Sequence, residues 1–197
     1  TVEDESDNAI SDSSITFTVV DTISPTIVFD PVDTENLVPV TDNITLTFSE
    51  AIRNTDDSAL TSTNVDSLIT LKDTDENGSD IAFNATIDTA KKIITINPDS
   101  NFSSEQTVYV AIGTTVEDSS DNAISARYCS FVAADSTAPS LDFTPADSAT
   151  GIAINSDITI AFDEVIRNTD DSTITDSNVD SLITLKTTNS SGSDIVF

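Results

Sequence analysis

The chain reads as all-β, a tandem array of antiparallel two-sheet sandwiches with about seven strands per unit. Three observations predict this. First, residues 1–83 return without a gap as residues 115–197. TVEDESDNAIS at 1–11 becomes TVEDSSDNAIS at 115–125, IRNTDDS at 52–58 returns at 166–172, and NVDSLITLK at 64–72 returns at 178–186. The register, from Thr1 to Thr115, is 114 residues. That period is too long for a solenoid unit and suits one small domain. Second, short runs alternate apolar and polar residues along the whole chain. Third, Asp, Asn, Ser, Thr, Gly and Pro separate those runs, and no long 3.6-residue periodicity interrupts them.

The repeat sets the expected boundaries. Residues 24–136 form one complete unit. Residues 1–23 match the C-terminal strand and loop of a preceding unit, and residues 137–197 match the N-terminal half of the next. This reading expects the chain to be a segment of a longer polypeptide.

Each strand of the complete unit has its own pattern. Ile27 and Phe29 lie two apart before Pro31. Ile44, Leu46 and Phe48 alternate with Thr45 and Thr47. Thr61–Ser67 carries capping residues without a periodic face, so at most one helical turn is expected there. Ile69 and Leu71 alternate with Thr70 and Lys72. The Asn77-Gly78 pair that follows suits a turn with positive φ. Ile81, Phe83, Ala85 and Ile87 make the next set, and Ile94 and Ile96 precede Pro98. Val108–Ala111 is apolar on both faces, and Cys129, Phe131 and Ala133 close the unit. The second copy keeps the faces: Leu141 and Phe143 replace Ile27 and Phe29, while Ile158, Ile160 and Phe162 replace Ile44, Leu46 and Phe48. Swaps that preserve bulk and alternation are what a packed core tolerates. The expected core is Phe29, Phe48, Phe83, Phe131, Ile44, Leu46, Ile94 and Ile96.

Composition excludes several functions. The 35 acidic residues face only seven basic ones, for a net charge of −28, and there is no His, Met or Trp. Nucleic-acid binding needs a basic footprint, which is missing. No apolar run approaches the ~20 residues of a membrane-spanning helix. One cysteine, Cys129, gives no internal disulfide; its repeat partner is Ile15, so it reads as a small core residue. Without His, a Ser-His-Asp or Cys-His nucleophile is impossible, and with four Gly no phosphate-cradling loop is formed. The segment is read as non-enzymatic.

The order of motifs resembles a known family. APSLDFTPADSATGIAINSDITIAFDEVI at 138–166, its counterpart around SPTIVFDPVD and NITLTFSEAI, and the late run through Ile94, Ile96, Tyr109 and Glu117 to Asn122 are similar to the SbsA-like bacterial Ig-like domain. The resemblance covers the whole chain and implies tandem Ig-like sandwiches of the kind found in S-layer proteins, adhesins and other exported bacterial proteins, with no shared catalytic site. The family's Asp-x-x-Gly-Asn loop departs here, because Asp121 stands in the glycine position.

Calcium is the expected cofactor, as a structural ion. Asp, Glu and Asn oxygens in irregular loops are its preferred ligands. Three clusters qualify: Glu117, Asp118, Asp121 and Asn122, which return as Glu3, Asp4, Asp7 and Asn8; Glu50, Asp56 and Asp57, which return as Glu164, Asp170 and Asp171; and Asp73-x-Asp75-x-Asn77-Gly78. The third loses its acids in the other copy, where Thr187, Asn189 and Ser191 stand, so it reads first as a hairpin turn. Asp21 and Asp135 close their units and are placed to complete a site at a domain junction. The expected ligands are therefore Glu50, Asp56, Asp57, Asp118, Asp121, Asn122 and Asp135. The competing reading is a set of solvated acids that form turns. Arg53, three residues after Glu50, is expected to pair with it locally.

The functional reading is a structural spacer or stalk segment of an exported bacterial surface fibre, adhesin or S-layer-type protein, located outside the cell. Its expected partners are neighbouring repeats of the same chain and other copies in a fibre. Two alternatives stay open: a ligand- or glycan-binding module, and a filament subunit assembling by strand exchange.

Overall fold

Ile44, Leu46 and Phe48 are buried while Thr45 and Thr47 face outward, and this alternation builds β2 (Ile44–Phe48) into the middle of a sheet. The computed structural model describes residues 2–197. It divides into two compact units, Thr1–Ser136 and Thr137–Phe197.

In the first unit, β1 (Ile27–Asp30), β2, β6 (Ile93–Pro98) and β5 (Phe83–Ile87) form one antiparallel sheet in the order β1-β2-β6-β5. A second sheet has β7 (Thr107–Ile112) between β4 (Ile69–Asp73) and β9 (Arg127–Val132). Their apolar faces meet around Ile44, Leu46, Ile94, Ile96, Val108, Val110 and Phe131, all essentially inaccessible. Phe102 meets Phe131 edge to face at 5.6 Å between ring centroids. This is the expected all-β sandwich. Seven of the strands are those the alternation marks. Val65–Leu68 forms the single short 3-10 turn, as the capping residues suggest. Cys129 is fully buried, its thiol donates to the Pro31 carbonyl at 3.3 Å, and burial pushes its pKa up to about 11.

The structure corrects four details. The run from Ile81 becomes a strand only at Phe83. Ile81 lies outside it, its N–H given to the Leu71 carbonyl, and Phe83 is only half-buried at the end of the ladder, opposite Pro98. The positive φ of the β4–β5 connection falls on Thr74 (63°) and not on Asn77-Gly78. Gly78 is there for space: a Cβ would lie 1.6 Å from the Asp73 carbonyl oxygen. Gly192 in the second copy stands equally close to Thr187. Two strands escaped the alternation, β3 (Arg53–Asn54) and β8 (Val116–Glu117), which pair with each other. They are too short to show a period.

In the second unit, β10 (Leu141–Thr144) pairs with β11 (Thr159–Phe162), Leu141 opposite Phe162, the register that Ile27 and Phe48 have in the first unit. The 3-10 turn returns at Val179–Leu182. Ile183–Leu185 does not become a strand, although Ile69–Leu71 does. β4 is a strand because β7 bonds it; among the described residues no strand pairs with residues 183–185.

Candidate metal centre

β3 and β8 decide where the acids go. Arg53 stands opposite Glu117 and Asn54 opposite Val116. That pairing brings the loop after β2 against the loop after β8. The two acidic stretches that look separate in sequence are thereby shuffled together into two groups, neither of which is a run in the chain.

The first group is Asp21, Glu50 and Asp118, with a carboxylate oxygen from each within 4.8 Å of the others. Asp118 is 1% exposed, the most deeply buried charge among the described residues. Its Oδ1 accepts the backbone N–H groups of Ser120 (2.7 Å) and Asn122 (2.9 Å), and its Oδ2 accepts from Asn122 Nδ2 at 2.8 Å. The Asn122 side chain, then the backbone donors and the charge of Arg53, hold the Asp118 carboxyl below the ordinary carboxylate range despite burial. Asn122 Nδ2 also donates to the Asp21 carbonyl at 3.2 Å, which ties the residue that ends the preceding copy into the loop. Asp121 makes the turn with φ 67°. Asp tolerates the left-handed region better than most residues, so the missing glycine of the family pattern does not open the loop.

The second group is Asp57, Glu117 and Asp121, and a cation already sits in it. Arg53 Nη2 pairs with Asp57 at 2.7 Å and with Asp121, and its Nε lies 3.3 Å from Glu117. Nε itself is buried without an aligned hydrogen-bond acceptor. The expected Arg53–Glu50 pair does not form. Instead Glu50 joins the first group, and the guanidinium neutralises acids from two loops.

Of the seven residues expected to bind metal, Glu50, Asp118 and Asn122 thus converge on the first group, and Asp57 and Asp121 on the second. Asp56 lies in neither: it accepts the Ser58 hydroxyl and N–H, which hold its carboxyl below the ordinary range. Asp135 accepts the Ser104 hydroxyl at 2.6 Å. Asp21, its repeat partner, is the one at the group. The Asp73 loop is a turn. Asp73 accepts the Ser79 N–H and Asp75 accepts that of Asn77. In the second copy Thr187 and Asn189 accept the N–H groups of Ser193 and Ser191. Thr and Asn do the same capping without the charge, which explains why the acids are dispensable there. Lys72 pins this hairpin to Asp80 at 2.7 Å, as Lys186 pins its own to Asp194.

One feature carries no sequence signal beyond divergence between copies. Tyr109 and Tyr128 stack on the outer face of the β4-β7-β9 sheet, 5.6 Å apart and 25° between planes. The other copy has Ser13 and Ser14 where Arg127 and Tyr128 stand.

No curated protein matches the chain. Among solved structures it is similar to CopC from Methylosinus trichosporium OB3b, with 11% identity, a TM-score of 0.39, and coverage of 58% of this chain and 97% of that one. The sequence profile of the bacterial Ig-like domain matches residues 21–132 and again 135–197. With most of its length matched in two successive copies, the chain belongs to the bacterial Ig-like domain family.

Proposed function

We propose that this chain is a non-enzymatic spacer segment of an exported bacterial surface protein, of the stalk, fibre or S-layer type that the SbsA-like motifs suggest. The observation that carries the reading is that one 114-residue period closes a complete sandwich core, so further copies add folded length in series. The two buried acids, Glu117 and Asp118, are committed to Arg53 and Asn122, which suits a structural role better than proton transfer. Pulling the chain from its termini should release about 400 Å in one cooperative event, the reach of one repeat. Gradual extension without such an event argues against a mechanical spacer.

Calcium belongs to this reading at the first group. Asp21, Glu50 and Asp118 offer three carboxylates that, among the described residues, form no salt bridge, and Asp21 lies in the stretch that matches the end of a preceding copy. The second group is supplied by Arg53. Extracellular calcium modules work at ~10⁻⁴–10⁻³ M, and ten times the dissociation constant stabilises by about 1.4 kcal/mol. Thermal midpoints in EDTA and in millimolar calcium at matched ionic strength are the test. Calcium should raise the midpoint, Glu50→Gln should remove the rise, and Asp57→Asn should keep it. Equal midpoints in calcium and sodium chloride sink the metal reading and leave the spacer reading standing.

The Tyr109–Tyr128 pair favours a second reading, an adhesive module with a glycan stacked on the exposed ring of Tyr128. Tyr128→Ser restores the other copy's residue. If glycan-array binding is absent, or survives this change, that reading falls.

A further inference from the structure

Oxidants take electrons from few side chains, chiefly Cys, Met, Trp, Tyr and His. This chain has no Met, Trp or His and a single Cys. Cys129 is fully buried, its thiol donates to the Pro31 carbonyl, and burial pushes its pKa up to about 11. The thiolate is the reactive form, so Cys129 is a poor electron donor. That leaves the two tyrosines, Tyr109 and Tyr128, and the fold brings them together.

In the antiparallel ladder of β7 and β9, Tyr109 stands opposite Ser130 and Tyr128 opposite Ala111. The tyrosines are therefore diagonal neighbours on one face, within reach of each other's rings. The rings stack with centroids 5.6 Å apart and planes 25° apart. Tyr128 is strongly exposed and Tyr109 half-buried, so an oxidant in solution reaches one ring directly and the other through it. Burial first, then the charges of Glu76 and Tyr128, raise the pKa of the Tyr109 phenol. At neutral pH it is uncharged and gives up its proton together with its electron. Between the two tyrosines run β8 and the loop with Glu117, Asp118, Asp121 and Asn122.

We propose that Tyr109 and Tyr128 form an oxidative cross-linking site, at which a peroxide-class oxidant joins the two rings into a dityrosine that staples β7 to β9 within one chain. Each phenol loses one electron and its hydroxyl proton. The two phenoxyl radicals couple through the ring carbons ortho to oxygen, and the two ortho hydrogens move to the oxygens, which restores both phenols. In sum one C–C bond replaces two C–H bonds, and two protons and two electrons leave. The oxidant takes the electrons: hydrogen peroxide with the two protons becomes two waters, and persulfate becomes two sulfates. Coupling stays within the chain because the rings are already stacked, whereas a net charge of −28 holds separate copies apart. The staple closes the acidic segment at its ends as a disulfide would. It belongs to this copy of the repeat, since Ser14 stands in the place of Tyr128 in the other. The proposal goes beyond the spacer reading and needs neither calcium nor a glycan.

The test is photo-oxidation of the 197-residue chain with a ruthenium sensitiser and persulfate, in buffer and in denaturing urea. The expected product shows dityrosine fluorescence, keeps monomer mass less two hydrogens, and on digestion yields one fragment joining the peptides of Tyr109 and Tyr128. Its yield in buffer should exceed that in urea by about fivefold or more, because the fold holds the rings in place. Tyr109→Phe and Tyr128→Ser should each abolish it. The second restores the other copy's residue at an exposed position, so the fold is kept. Pulled from its termini, the cross-linked chain should release about 60 Å less than the untreated one, the reach of the 19 positions from Tyr109 to Tyr128. A product at dimer mass, an equal yield in urea, fluorescence that survives either substitution, or an unshortened release overturns the proposal. The mass readout asks for no mechanical role, so this proposal and the spacer reading fail separately.

Discussion

Asp4 and Asp118 are the same residue of the repeat, and their loops are bonded alike. In each, Oδ1 accepts two backbone N–H groups, of Ser6 and Asn8 or of Ser120 and Asn122, and Oδ2 accepts the amide of Asn8 or Asn122. The residue before Asn has φ 64° at Asp7 and 67° at Asp121. Yet Asp118 is buried and Asp4 is exposed. The same split separates β9 from its counterpart, with Phe131 at 1% exposure and Phe17 at 84%. It also separates the two forms of β2, with Ile44 at 0% and Ile158 at 58%. Loops closed by bonds within six residues form wherever their sequence occurs. Core burial and charge clustering need strands from the rest of the unit, about 60 to 100 residues away.

The sharpest way to break this comparison is to make the same substitution in both copies. Ile44→Ala should cost about 2–5 kcal/mol in urea unfolding, as large-to-small changes in closed cores do. Ile158→Ala, at a half-open position, should cost under about 1 kcal/mol in the same chain. Equal losses would mean that the second unit is as well packed as the first.

The arginines come next. Arg53→Met leaves Glu117 buried without its cation and should cost about 1–3 kcal/mol. Arg167 makes an exposed pair with Asp171 at 3.0 Å, so Arg167→Met should stay within about 0.5 kcal/mol.

The acid limb is the smallest effect. The Asp118 carboxyl is held below its ordinary value chiefly by Asn122. A lowered folded-state pKa contributes stability above the unfolded value, near 3.8, and that stability is lost as pH falls through the folded value. Stability of the first unit should therefore decline below about pH 4, and Asp118→Asn should flatten the decline. Asp4 is lowered by the same bonds from Asn8, but it lies outside the closed core, so Asp4→Asn should leave the unfolding curve unchanged at every pH.

The same division explains what the sequence makes legible. Alternation marks β2, β6 and β9 because each buries one face against the other sheet, whereas β7 is apolar on both faces in sequence and only Val108, Val110 and Ile112 are fully buried. The acids of 50–57 and 117–122 are legible as clusters, but their partition is not. It depends on a two-residue pairing, Arg53 with Glu117, that leaves no period and spans 64 positions. Proximity along the chain points Arg53 to Glu50, whereas the β3–β8 register turns it toward Glu117. Gly78 was legible as a turn residue but for the wrong reason, since only the folded hairpin shows how close the Asp73 carbonyl comes.

Native-state hydrogen exchange on the intact 197-residue chain tests the central claim most directly, because it reads each backbone N–H in both copies at once. The amides of Leu46, Ile94, Val110 and Phe131 should exchange only through cooperative unfolding of the first unit. Those of Ile160 and Phe17 should exchange orders of magnitude faster, while Asn8 and Asn122, in the locally closed loops, show bonded N–H groups in both settings. Equal protection of Leu46 and Ile160 would contradict the account.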